Sequence, residues 1–159
     1  MNSAHLHLLF NHVPILGSVF GLVLIAWGVF RRSDPVARVG LATLVVAALF
    51  AIPAYLTGGA AELVVEDLPG ISDAAIHPHE EAAMIASYAL WALGAACAWM
   101  LWRYRRLGVF VPSRYTRLAF LGSVVVAGLM AWTSLLGGVI RHAEIRGDPV
   151  DRAVAERSQ

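Results

Sequence analysis

Four apolar runs, each close to the length that crosses a bilayer, govern what this chain can become. They cover about residues 8–30, 39–57, 80–102 and 117–141, and roughly 20 residues of helix span the ~30 Å hydrocarbon layer. Inside that layer no water pairs with the backbone, so each run must satisfy its own N–H and C=O groups as a helix. The expected fold class is therefore all-α, a four-transmembrane-helix bundle. Composition agrees: 58% of the 159 residues are hydrophobic and 14% are charged, too few charges for an ordinary soluble domain of that size. Residues 1–147 read as one four-span membrane domain and 148–159 as a polar C-terminal tail.

Charge predicts orientation. Every cation is an arginine. Arg31, Arg32, Arg38, Arg103, Arg105, Arg106, Arg114 and Arg117 cluster in the loops after the first and third spans, with Asp34 as the one acid among them. Cytoplasmic loops carry such an excess, so these two loops are expected inside and both termini outside. Nothing basic precedes Arg31, so the first span is read as retained and not as a signal peptide. A formal net charge of +1 gives no reason to expect a nucleic-acid partner. The single cysteine, Cys97, lies in an apolar run and reads as packing. No ionisable residue sits in the middle of a span, which argues against a transporter.

Between the second and third spans, residues 62–79 read as a mixed, acidic connecting loop, with Pro78 suited to the first turn of the next helix. In the first span, Gly17 and Gly21, extended by Gly28, form a small-residue stripe that signals close helix contact.

All six histidines, His5, His7, His12, His77, His79 and His142, fall on the predicted outer side. Helical steps back from His142 meet Gly138, Leu135, Ala131 and Gly128, a largely small-residue stripe expected to face the bundle. Glu62, if its helix continues that far, lies over Gly58, Tyr55, Ala51 and Ala48. His79 and Glu80 sit above Ala83, Ala86, Ser87, Leu90 and Gly94. His12 lies around the helix from the glycine stripe, above Leu16 and Val19. His5 and His7 read as interfacial residues and His77 as part of the loop or helix cap.

Imidazole and carboxylate together are ligands for iron or zinc, and four-helix bundles build such sites from inward-facing Glu and His. The expected ligands are His12, His79 and His142, with Glu62 or Glu80 completing or neutralising the shell. The Glu-x-x-His spacing of di-metal bundles is absent. Haem b is the other chemistry left open, with two histidines as axial ligands and Arg141 either meeting a propionate or serving as a surface anchor.

The segments Leu9-Phe10-Asn11-His12-Val13-Pro14-Ile15, Ala51-Ile52-Pro53-Ala54-Tyr55-Leu56-Thr57-Gly58, His79-Glu80 and Gly137-Gly138-Val139-Ile140-Arg141-His142 together resemble a group of small, uncharacterised four-helix bacterial membrane proteins. The resemblance covers roughly residues 5–145 and implies a four-helix fold. It departs from the group's Thr-Gly-Glu pattern at Gly59. The resulting expectation is a multi-pass protein of the bacterial inner membrane whose outer end binds a metal or haem for electron transfer. The competing expectation is a non-catalytic subunit of a larger respiratory or redox membrane complex, or a homo-oligomer.

Overall fold

The computed structural model describes residues 3–65 and 73–141, which form four helices. They are α1 (Ser3–Phe30), α2 (Asp34–Val65), α3 (Asp73–Leu107) and α4 (Ser113–Arg141). All four are long and apolar enough to cross a membrane. The shortest, at 28 residues, is about 42 Å long by its rise, so its ends reach beyond the hydrocarbon layer. Each helix packs antiparallel to its neighbour in sequence, and α1 also packs on α4 to close a square.

The helices extend further than hydropathy alone predicts. α2 runs past Pro53 to Val65, and α3 begins at Asp73, so most of the expected 62–79 loop is helix and Pro78 lies beyond the first turn. Each internal proline removes one backbone donor. At Pro53, the Thr57 hydroxyl donates to the Pro53 carbonyl at 2.7 Å and reaches the Ala54 carbonyl at 3.2 Å.

Glycine sets how closely α1 and α2 approach. A Cβ built on Gly17 would stand 2.8 Å from that of Ala47, and one on Gly21 would stand 2.7 Å from the Leu44 side chain. The glycine stripe of α1 is thus the tight seam its spacing predicts. The interior is filled by Ile25, Leu41, Leu44, Cys97 and Met100 toward the arginine-rich loops, and by Ala47, Ala48, Ala51, Ala86 and Leu90 toward the other end. Large apolar side chains cover the outside instead, with Phe20 62% and Leu56 72% exposed. Only an apolar solvent accommodates that surface without cost.

On α4 the small-residue stripe does not face inward. Leu135 is 66% exposed and nothing stands within 4 Å of a Cβ placed on Gly128. The buried face runs through Thr116, Ala119, Ser123, Val126, Met130 and Thr133. Ser123 and Thr133 return their hydroxyl protons to the carbonyls of Phe120 and Leu129, so they enter the interior without an unpaired donor.

Both short loops start from the same helix stop. Arg32 and Gly108 lie in the left-handed region at φ 53° and 64°. Ser33 N–H donates to the Gly28 carbonyl and Val109 N–H to the Tyr104 carbonyl, closing each helix with a Schellman motif. An arginine in that conformation carries strain of about 1–2 kcal/mol that glycine lacks. Arg32→Gly is therefore expected to raise stability by about 1 kcal/mol. Gly108→Ala should lower it by about the same amount. Unfolding both variants by detergent titration, followed by circular dichroism, checks the pair of opposite signs.

Candidate functional site

The buried stripe of α1 is Gly28, Ile25, Gly21, Ser18 and Pro14. Continuing by helical steps of three and four brings it to Asn11 and then His7. His7 donates from Nδ1 to the Ala54 carbonyl of α2 at 3.0 Å. Its ring lies over Gly58, where a Cβ would meet it at 3.8 Å. On α3, His79 donates from Nδ1 to the Thr133 carbonyl of α4 at 3.0 Å. Gly137 makes room for that ring, since a Cβ there would stand 3.0 Å from its Cε1.

A carbonyl oxygen only accepts, so Nδ1 carries a proton in both rings, and the Nε2 of each is not engaged by that tether. The same end of the bundle holds both rings, within electrostatic reach of each other. Each is pinned by a backbone group of a neighbouring helix, an arrangement that orients histidine ligands in metal centres.

One turn along α1 from His7, Asn11 contributes an unusual atom. Its Oδ1 is shut off from solvent and has no hydrogen-bond partner. An unpaired buried acceptor costs about 1–3 kcal/mol, so such an atom calls for a donor.

His12, by contrast, is exposed and donates from Nδ1 to the Leu8 carbonyl of its own helix at 3.0 Å. It stands above Leu16 and Val19, both exposed. Glu62 is half-buried near the end of α2, one turn beyond the Gly58 that His7 packs over. Glu80 is exposed and lies within electrostatic reach of His79 and Tyr55. His77 and Glu81 form an exposed pair at 3.3 Å across one turn. His142 and the Arg141 side chain lie outside the described residues.

Among the described residues, no three His, Cys, Asp or Glu side chains converge as a metal-binding group. His79 and His7 lie within electrostatic reach of each other at one end of the bundle, and His12 turns to the outside. The signal for His7 was present in the sequence as the upward continuation of the glycine stripe through Asn11.

Compared with known proteins, the chain matches no family model, no curated protein and no solved structure. Its class therefore rests on its own geometry: a four-helix membrane-type bundle with two tethered histidines at one end.

Proposed function

We propose that this is a multi-pass protein of the bacterial inner membrane, with both termini and the histidine-bearing end on the periplasmic side. That end binds a transition metal, iron or zinc, or haem b; iron or haem would serve electron transfer or a related redox step, whereas zinc, which has no redox chemistry, would not. His7 and His79 supply Nε2 donors. His142, Glu62 and Glu80 are the groups available to complete the shell or neutralise its charge.

What supports the reading is the pair of cross-helix tethers, His7 to Ala54 and His79 to Thr133, which hold two imidazoles in one tautomer at one end of the bundle. The orphaned Asn11 Oδ1 would suit a bound group that brings a hydrogen-bond donor to this end of the bundle. A bound iron centre would supply one-electron chemistry, and zinc a Lewis acid. The chain's own contribution is to fix ring orientation through α2 and α4 and to exclude solvent. Its arginine-rich loops at the opposite end support the assigned orientation.

Metal analysis and an absorption spectrum of the purified protein test this. Stoichiometric metal is expected, with a Soret band if the group is haem. His7→Ala and His79→Ala should each lower occupancy at least about tenfold, while His12→Ala leaves it unchanged. Metal retained in both the His7 and His79 variants would remove the assignment.

A second reading is a non-catalytic assembly subunit or homo-oligomer. Its support is the aromatic cluster of Tyr55, Tyr88 and Trp91 on the α2–α3 exterior, with rings 5.4–6.2 Å apart. It predicts neither metal nor Soret band, and an intact host complex when His7 and His79 are replaced.

A further inference from the structure

Between α3 and α4, in the half of the bundle nearest the arginine-rich loops, lies an apolar groove. The groove between them has a volume of about 220 Å³ and is lined by Leu93, Ala96, Trp99, Tyr115, Leu118 and Ala119. Two of these lining residues, Ala96 and Ala119, are small. Toward the bundle middle Leu93 packs on Gly122, where a Cβ would stand 3.0 Å from its Cδ1.

The opposite end of the groove is framed by aromatic rings and cations. Trp99 and Tyr115 meet edge-on with centroids 6.4 Å apart, and Tyr104 lies 5.9 Å from Tyr115. The Arg114 guanidinium sits 4.8 Å over the Tyr115 ring and donates to its hydroxyl at 3.3 Å. Arg103 stands one turn beyond Trp99 on the same wall, and both arginines are within electrostatic reach of Tyr104. Asp34, the acid at this end, is already committed to Arg38 and to the Val111 amide. Among the described residues, no carboxylate pairs with Arg103 or Arg114.

The dimensions match one leaflet. From Leu93 to Arg103 is ten residues, about 15 Å along the helix, half of the ~30 Å hydrocarbon thickness. We propose that the groove seats an acyl chain of an anionic phospholipid, with its phosphate held by Arg103 and Arg114. The apolar walls favour a chain over a polar solute, and the unneutralised guanidiniums favour a head group of net negative charge over a zwitterionic one. This inference is independent of the histidine end.

The test titrates phosphatidylglycerol, and separately phosphatidylcholine, into the purified full-length protein, with binding read by native mass spectrometry and by thermal melting. Phosphatidylglycerol is expected to bind and raise the melting temperature, and phosphatidylcholine to do neither. Arg103→Gln and Arg114→Gln should each weaken binding roughly fivefold. Ala96→Phe fills the groove without touching charge and should weaken it at least about tenfold. Leu118→Trp, at an exposed wall position, serves as a second plug should Ala96→Phe lose its helical spectrum. Equal binding of the two lipids overturns the proposal. So does undiminished phosphatidylglycerol binding in the plugged variants, which means annular attraction only. Loss of an oligomer in those variants with lipid binding intact would show a second copy in the groove and overturns it equally.

Discussion

Gly28→Ala is expected to destabilise the bundle by about 3 kcal/mol, near the upper end for an inserted methyl group. The added carbon would lie 2.6 Å from the Ala37 amide nitrogen and 2.8 Å from its Cα. Both are backbone atoms, which have no rotamer to escape into. α1 and α2 are joined there by a turn whose hydrogen bonds, Ser33 N–H to Gly28 and Ala37 N–H to Ser33, prevent the helices from separating. Gly128→Ala on α4 makes the contrast. No atom lies within 4 Å of the new methyl, so the change only removes backbone freedom and should stabilise by about 0.5–1 kcal/mol. Unfolding the two variants in mixed micelles reads the difference. Equal effects at the two positions would show that the seam is not as close as described.

Asp34→Ala is expected to cost about 2–3 kcal/mol. The Asp34 carboxylate accepts from Arg38 through Oδ2 and from the Val111 amide through Oδ1, the latter at 2.8 Å. Arg38 in turn donates to the Val109 carbonyl at 2.7 Å. One acid thus clips the α1–α2 loop to the α3–α4 loop. Its removal leaves the N–H of Val111, itself 6% exposed, without an acceptor. Asp34 also lies in the first turn of α2, where a negative charge suits the helix dipole. Asp34→Asn keeps an acceptor for Val111 and should lose only about 1 kcal/mol. The same unfolding measurement separates a structural clip from a counter-charge, since a counter-charge alone would make the two substitutions equally costly.

In the sequence Asp34 was legible only as the one acid among the arginines of the two loops. Its role as a clip was not, because Val109 and Val111 are more than 70 residues away and contribute only backbone groups. His12 and His7 show the same limit at the other end. Both lie in the first turns of α1, five residues apart, so their rings project to different sides. The upward continuation of Gly21, Ser18 and Pro14 selects His7, and the place of His12 around the helix from that stripe, above Leu16 and Val19, is the mark of its outward turn. On α4, glycine and alanine at Gly128 and Ala131 read as a contact stripe, yet α4 turns Ser123, Val126 and Thr133 inward.

By itself the sequence determined the class of structure, the four helices, their approximate spans and the α1–α2 seam, because hydrocarbon leaves an unpaired backbone no alternative to a helix and glycine no better use than close approach. Tertiary structure alone decided how each helix is rotated about its axis, and so which histidines are tethered across the bundle. In water, a helix's polar face announces its outside. In a chain whose exterior is as apolar as its core, that signal is missing, and only the fit of Gly137 to His79, Gly58 to His7 and Gly28 to Ala37 remains to set the rotation.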